Sequence, residues 1–533
     1  MNNANDVLRV NRRRFIGGLA STGLLLGLNS YAGNRQDSIA TTRSGQIRGQ
    51  QQHGIHRFLG IPYGADTHAR RFMPALPEVP WQGLRDCVDY GPAAPQLGSR
   101  ETISEDCLYL NAWTPGLRDG AKRPVLVYIH GGGYNNGSGA DAQYDGTNLC
   151  RRGDVVVITL NHRLNAFGYL YLAPFGSADF AYSGNVGQVD LVQALHWVKA
   201  HARELGGDPD NITLFGQSGG GAKIITLMAM PAAQGLFQRA FTMSGQQVTA
   251  AGPRAASQRT ERFLDALKLS PGKLDKIKTL PLAQLLEATQ VSDPSRVENN
   301  RLYFGPVLDN QVLLRHPFYP DAPAQARHIP LVIGNTRDET RAFLGGDPAN
   351  FQLTWAQLPH KLAEQQYVDL NPEVVIAEYR RLYPQYSPSE VFFAATTAGR
   401  SWRGAIIEAE ERARQGAPAY VYQLDWGSPL DGGKFGAFHT LDIPLVFDNI
   451  AQPGSRTGTS PAAQHMADQM SNALLAFART GNPSHKGIPH WKPYRLDKRE
   501  TLVFNHTSAL VNDPRGGERE LYARVPFIQR GTF

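Results

Sequence analysis

The sequence predicts an α/β protein: a mostly parallel sheet with helices on both faces and helical insertions over one edge. Three observations predict it. Five short runs are almost entirely apolar or β-branched: Val125–Ile129, Val155–Thr159, Ile212–Phe215, Pro330–Gly334 and Tyr420–Leu424. Continuous apolar runs of that length, rather than alternating ones, belong to strands buried on both faces. Helical stretches such as Gln188–Glu204 separate them. Four of the runs also lead to residues with chemical potential, as expected where strands end at the carboxyl edge of such a sheet.

The chain is 533 residues long, with 41% hydrophobic and 19% charged residues, an ordinary globular composition. Length alone would suggest about three domains. The motifs described below run from residue 57 to residue 494 without a linker or low-complexity tract, so one large domain over 33–533 is expected. Residues 1–32 read as an export signal. Asn11-Arg12-Arg13-Arg14-Phe15-Ile16 resembles the twin-arginine pattern, a weakly apolar Gly-rich run follows to Leu28, and Ser30-Tyr31-Ala32 is a small-x-small cleavage site. Cleavage there removes four Arg and one Asp, lowering the formal net charge from +7 to +4. A mature chain that mildly basic implies neither nucleic acid nor an acidic surface as partner. No internal stretch reaches the ~18 consecutive apolar residues of a membrane span. The expected destination is the bacterial periplasm, and three cysteines suit an oxidising compartment without fixing a pairing.

Along the chain, Val125–Ile129 runs into His130-Gly131-Gly132-Gly133. Ile212–Phe215 runs into Gly216-Gln217-Ser218-Gly219-Gly220, and Ala222–Met228 beyond it is helix-like. A strand entering a helix through G-x-S-x-G is the context of a nucleophile elbow, where the Ser sits on a turn too tight for ordinary backbone. Pro330–Gly334 leads to Asp338-Glu339, and Tyr420–Leu424 leads through a Gly-rich loop to His439. Two segments, 253–290 and 353–415, carry amphipathic helical patterns and are expected to form a lid or pocket wall.

Acyl transfer needs a nucleophile, a base, an acid that orients and charge-stabilises the base, and donors for the oxyanion. The order Ser218, Glu339, His439 is the nucleophile–acid–His order of the α/β-hydrolase fold, and the glycines at 131–133 follow an early strand as an oxyanion loop does. With these residues in hand, the chain resembles the type-B carboxylesterase/lipase family, which includes cholinesterases and bacterial p-nitrobenzyl esterases. Ser104-Glu105-Asp106-Cys107-Leu108-Tyr109-Leu110-Asn111 is nearly that family's second signature. Also matching are Phe58–Tyr63, Asn161–Gly168, Gly206–Ile212, Phe477–Pro483 and Trp491–Tyr494.

The resemblance implies Ser218 as nucleophile, Glu339 as acid, His439 as base, and the backbone N–H groups of Gly132, Gly133 and Gly219 as oxyanion donors. It further implies a Cys87–Cys107 disulfide, structural ion pairs Arg71–Glu105 and Arg163–Asp190, and Ser244 close behind the triad. A small-molecule ester is the implied substrate, with no metal or organic cofactor. Oligomeric state is unreadable.

Departures are as informative. Most relatives place Glu before the nucleophile and Ala after it; this chain has Gln217 and Gly219. Losing a negative charge beside the His is expected to alter pH dependence. His162 replaces a common Tyr and reads as a satisfied polar residue under a loop. Asp338 is a rival acid that reads as a local pin, His130 as an orienter of its loop, and Cys150 as a buried thiol. The 19-residue loop between Cys87 and Cys107 has no Trp, so a choline-stacking site is not expected there. Tyr134, Phe343, Trp402 and Phe438 are candidates for site lining, with core the simpler expectation. The alternatives are the same mechanism on amide, carbamate or lactone bonds, or a non-catalytic binding protein on this scaffold.

Overall fold

One sheet of 13 strands organises the chain in the computed structural model. The structure describes residues 36–176, 178–294 and 301–529. The expected export signal and its cleavage site lie outside these residues. The strands are β1 (Gln36–Thr41), β2 (Gln46–Gln52), β3 (Ile55–Pro62), β4 (Leu84–Asp86), β5 (Tyr109–Thr114), β6 (Arg123–Ile129) and β7 (Val156–Leu160). The remainder are β8 (Gly207–Gln217), β9 (Arg239–Met243), β10 (Leu331–Thr336), β11 (Ala419–Leu424), β12 (Glu500–Phe504) and β13 (Ala509–Asn512). Their spatial order is β1-β2-β3-β5-β7-β6-β8-β9-β10-β11-β12-β13, with β4 paired to β2. From β7 through β12 every pairing is parallel. Antiparallel strands flank this block at both edges. This is the α/β-hydrolase arrangement expected from the sequence.

All five strands anticipated from apolar runs are present, and β6, β7, β10 and β11 are buried along their whole lengths. The two-residue period of a strand divides their side chains between two cores. Val125, Val127 and Ile129 face a core shared with Leu191, Leu195 and Val198 of the helix Val186–His201, and with Ile224 and Leu227 of the helix Gly219–Met228. Leu126 and Tyr128 face the opposite core, closed by Met466, Met470 and Leu474 of the helix Pro461–Thr480. Each fully buried aliphatic side chain contributes roughly 1.5–3 kcal/mol, so this double burial is what holds the parallel block together.

The two insertions are helical as expected and carry cores of their own. In the first, Phe263, Leu264, Leu285 and Leu286 pack with Tyr134 and Ala222, placing the insertion against the loop and helix that flank Ser218. In the second, Leu358, Leu362, Val375, Phe392 and Trp402 pack with Leu521 and Tyr522 from the C-terminal end.

Two structural expectations meet different outcomes. Both ion pairs form: Arg71 binds the Glu105 carboxylate at 2.5 and 2.6 Å, and Arg163 binds Asp190 at 2.6 and 2.8 Å. The Cys87–Cys107 disulfide does not; Cys87, Cys107 and Cys150 are all free thiols. Cys87 and Cys107 pack as small apolar residues in the core beside β6. Burial raises both thiols, Cys87 to about 11, which keeps them protonated and unreactive.

The Arg163–Asp190 pair gives a stability prediction. Both side chains are almost completely buried, and Arg163 spends a further N–H on the Met73 carbonyl at 2.7 Å. Asp190→Ala leaves a buried guanidinium without its counter-charge and is expected to lower unfolding free energy by about 3–5 kcal/mol. Urea titration followed by tryptophan fluorescence checks this; a midpoint equal to the parent's contradicts it.

Candidate active site

The site forms where β6, β8, β10 and β11 end. Ser218 joins β8 to the helix Gly219–Met228 with φ 55° and ψ −125°, a conformation that side-chain-bearing residues seldom adopt. Such a backbone costs about 1–3 kcal/mol and persists only where surroundings over-determine it. Here they do. The Ser218 N–H donates to the Met243 carbonyl at 2.7 Å, and the helix begins with Ala222 N–H donating to the Ser218 carbonyl at 3.0 Å. Gly216 and Gly220 allow the turn to fold on itself, since a Cβ on Gly216 would stand 2.7 Å from the Gly220 backbone.

Glu339 and His439 meet across 100 residues. His439 Nδ1 donates to Glu339 Oε2 in a very short hydrogen bond. The other carboxylate oxygen, Oε1, accepts from the Thr336 N–H at 2.9 Å and the Asn335 amide at 3.1 Å. Burial by itself would raise the Glu339 carboxyl. The imidazole and the Thr336 N–H outweigh burial and hold it below its ordinary value. Glu339 is therefore a fully buried carboxylate that stays charged, as an orienting acid must. Ser244 sits behind it in a left-handed conformation, φ 52°, with its N–H donating to the Gly334 carbonyl at 2.7 Å.

Asp338 has the local role expected of it. It bridges to the His439 loop, donating its N–H to the Ala437 carbonyl at 2.9 Å and accepting the Ala437 N–H at 3.0 Å. Its Oδ1 also pairs with Arg341 at 3.1 Å. Asp338 thus pins the loop that presents His439.

The glycines of the first loop close the site from the other side. Gly132 and Gly133 have φ of 81° and 60°. The Gly132 carbonyl accepts from the Asn135 and Asn136 N–H groups at 3.2 and 3.3 Å, which turns the Gly133 N–H the opposite way. A Cβ on Gly131 would lie 3.2 Å from Ser218 Cβ, and one on Gly219 would overlap the Gly133 carbonyl. The loop and the elbow are in backbone contact, so Gly219 has no room for a methyl group.

Gln217 is fully buried, and its amide nitrogen lies 3.1 Å from His439 Nε2. With the proton of the neutral imidazole on Nδ1, hydrogen-bonded to Glu339, Nε2 can only accept, so Gln217 is the donor. The Nε2 lone pair is thus held by the residue next to Ser218.

Several functional neighbours carry weak sequence signals. Asp442 follows His439 by three residues and accepts from the Tyr422 hydroxyl at 2.8 Å. Burial first, and the Glu339 charge second, raise its carboxyl to about 6. Asn335 and Thr336, at the end of β10, position Glu339. His130 and His162 stack with ring centroids 4.8 Å apart. Their Nδ1 atoms face the Gly131 and Arg163 carbonyls at 2.9 and 3.0 Å. His162 is not the fully satisfied polar residue expected, because its Nε2 and that of His130 are buried without hydrogen-bond partners among the described residues. Of the aromatic candidates, Tyr134, Trp402 and Phe438 are buried, whereas Phe343 is 48% exposed and its ring stands 4.8 Å from that of His439. Phe343 is the one open to an incoming substrate. Among the described residues, no group of three or more His, Cys, Asp or Glu side chains is placed to hold a metal ion. No described helix is long and apolar enough to cross a membrane.

Comparison with known proteins finds carboxylesterases. The model of the Carboxylesterase family matches residues 36–519. The para-nitrobenzyl esterase of Bacillus subtilis (strain 168) is 34% identical over 499 residues, covering 90% of this chain and 98% of that one. The phenmedipham hydrolase of Pseudarthrobacter oxydans is 32% identical, covering 89% and 96%. Among solved structures, a carboxylesterase of Geobacillus stearothermophilus superposes with a TM-score of 0.80 at 37% identity, covering 91% of this chain and 99% of that one.

The Gln217–His439 contact predicts a shift in pH dependence. Gln217→Glu places a carboxylate 3.1 Å from the imidazole position now faced by an amide. An opposite charge at that range favours imidazolium and raises the His pKa. Because the base must be neutral to act, the acid limb of kcat/KM is expected to move to higher pH, by about one unit. A limb that stays in place or moves down contradicts this electrostatic account.

Proposed function

The chain belongs to the carboxylesterase family and is a carboxylic ester hydrolase, and from that premise we propose that Ser218, His439 and Glu339 carry the reaction through an acyl-enzyme. The observation that carries this reading is the convergence of a strained Ser218, a His439–Glu339 pair and the glycine loop at one sheet edge. The Gln217 amide yields Nε2 to the Ser218 hydroxyl when substrate arrives. Ser218 Oγ then attacks the ester carbonyl carbon while its proton passes to His439 Nε2. The imidazolium so formed is stabilised by the Glu339 carboxylate, which remains ionised.

The carbonyl π electrons move onto oxygen, and the N–H groups of Gly132, Gly133 and Gly219 receive that oxyanion. Removing one such donor in a comparable site costs about 10²–10³ in kcat, so their fixed geometry is worth as much as the acid–base pair. Collapse of the tetrahedral species breaks the carbon–alkoxide bond, and His439 returns its proton to the leaving alkoxide. Water repeats the sequence on the acyl-enzyme, releasing the carboxylic acid and restoring Ser218.

The substrate is a small-molecule ester, and Phe343 at the mouth favours one with an apolar face. For location, we propose export of the folded chain to the periplasm by the twin-arginine route, supported by Arg12-Arg13 and the Ala32 cleavage pattern. Arg12→Lys with Arg13→Lys is expected to retain unprocessed protein in the cytoplasm. N-terminal sequencing of cell fractions reads the outcome, and a parent chain confined to the cytoplasm and still beginning at Met1 excludes the signal.

Ser218→Ala is expected to lower p-nitrophenyl ester turnover by roughly four or more orders of magnitude without altering the circular dichroism spectrum. A fluorophosphonate is expected to label the parent at Ser218, located by peptide mass spectrometry. Retained activity, or a label on another residue, refutes the assignment.

A further inference from the structure

The helix that starts at Ser218 carries a lysine that the mechanism above does not use. Lys223 lies five residues beyond the nucleophile and is fully buried. Its ammonium donates to the Gly133 carbonyl at 2.9 Å and to the His130 carbonyl at 3.3 Å. It also stands 5.4 Å from the centroid of the Tyr134 ring. An ammonium has three N–H donors. Two carbonyls and an aromatic face account for all of them.

These partners are not scattered. His130 and Gly133 bracket the glycine run, and Tyr134 follows it, so one cation grips the loop at both ends from beneath. The same Gly133 carbonyl is the atom that excludes a side chain at Gly219. Drawing that carbonyl toward the helix brings the loop down onto the elbow, and Gly219 is the residue that permits it. Two residues of this helix, Gly219 and Lys223, therefore meet at one atom.

We infer that Lys223 is a positioning residue for ester hydrolysis, clamping the 130–133 loop so that its amides face the developing oxyanion and placing a buried positive charge beneath that site. The inference rests on the proposed roles of Ser218 and the loop glycines. Among the described residues, no carboxylate pairs with Lys223, so its charge is not cancelled locally. Burial lowers it to about 7.

Every titratable group facing it is held neutral or distant. His130 is lowered to about 3, first by burial and then by the Lys223 charge, and His162 is lowered by the same causes. Burial raises Tyr134 well above its ordinary value, so it stays a phenol. The Tyr134 hydroxyl donates to Gln247 at 2.8 Å, whose N–H donates to the buried Glu408 carboxyl at 2.7 Å. Burial raises that carboxyl, which weakens Glu408 as a counter-charge. Lys223 is the group in this cluster that titrates in the working range. Protonated, it clamps and charges the loop; as pH rises through about 7 it becomes an amine with two donors and no charge.

The sign for stability runs opposite to the sign for activity. A lysine whose folded pKa is lowered binds more protons unfolded, so stability rises with pH between about 7 and the unfolded value. Burying the cation thus costs stability at neutral pH, as expected of a group retained for function.

The test uses Lys223→Met, which matches length without charge or donors, and Lys223→Gln, which retains two donors without charge. With p-nitrophenyl acetate, Lys223→Met is expected to lose roughly 10- to 100-fold in kcat while KM stays within about two-fold. Affinity for a trifluoromethyl ketone, which adds the nucleophile to form an oxyanion, is expected to fall by a similar factor. The parent's kcat is expected to decline as pH rises through about 7, and that decline is expected to vanish in both variants. Lys223→Gln is expected to recover part of the kcat loss. Unchanged kcat and ketone affinity in Lys223→Met overturn the inference, as does an alkaline limb that survives in Lys223→Gln. If Lys223→Met fails to fold, the Lys223→Gln profile decides alone. Fluorophosphonate labelling separates the layers: a label away from Ser218 fails the nucleophile assignment, whereas a Ser218 label with unaffected kcat fails only Lys223.

Discussion

The whole site depends on how closely the elbow backbone approaches β6. A methyl on Gly220 would overlap the Ile129 carbonyl, and one on Gly216 would stand 2.8 Å from the same oxygen. No side chain fits between the end of β6 and the first turn of the Ser218 helix. That contact fixes the helix against the sheet, forces Ser218 into its left-handed conformation, and sets the following loop, 130–133, directly alongside. Strain at one residue persists because the parallel block on either side is buried on both faces and does not relax locally.

Charge is distributed around this contact in a consistent way. One carboxylate, Glu339, stays ionised because donors surround it, while burial drives Asp442 and Glu408 toward the neutral form. One ammonium, Lys223, sits under the oxyanion side. Gln217 contributes no charge where most relatives have a carboxylate. Negative charge is therefore concentrated behind His439 and positive charge beneath the loop, along the direction in which charge would separate in the proposed reaction. Fixed charges and dipoles aligned with that separation lower the barrier without reorganising during the reaction.

The parts of the fold readable in the sequence are those where burial is two-sided. Strands β6, β7, β8, β10 and β11 announced themselves as unbroken apolar runs, and the ends of all but β7 carried the candidate residues. The edge strands did not: β2 reads Gln-Ile-Arg-Gly-Gln-Gln-Gln and buries little beyond Ile47 and Gly49. Its pairing comes from backbone hydrogen bonds and neighbours distant in sequence, which leave no periodic trace. The proposed triad could be named from sequence because its chemistry demands particular residue types in a known chain order. The Gln217 contact with Nε2 was not, since identity alone does not say which imidazole nitrogen a neighbour meets. The cysteine pairing was suggested by resemblance, yet Cys87 and Cys107 are packed among apolar side chains as free thiols.

Lys223 shows the same limit most sharply. In sequence it is a single lysine in an apolar helix, and a long amphipathic side chain ordinarily extends its charged end to water. Only three-dimensional placement reveals that the ammonium is roofed by the glycine loop and spends its donors there. Its presence also gives a reason for Gly219, because a carbonyl drawn toward that lysine occupies the space an alanine methyl would need. Gln217 fits the same logic from the other side of Ser218. A carboxylate at 217 would set a buried anion beside a loop whose carbonyls already converge on a cation, giving the ammonium a competing attraction. Neutral Gln217, small Gly219 and cationic Lys223 are thus three parts of one local solution, in which the oxyanion loop is held from beneath.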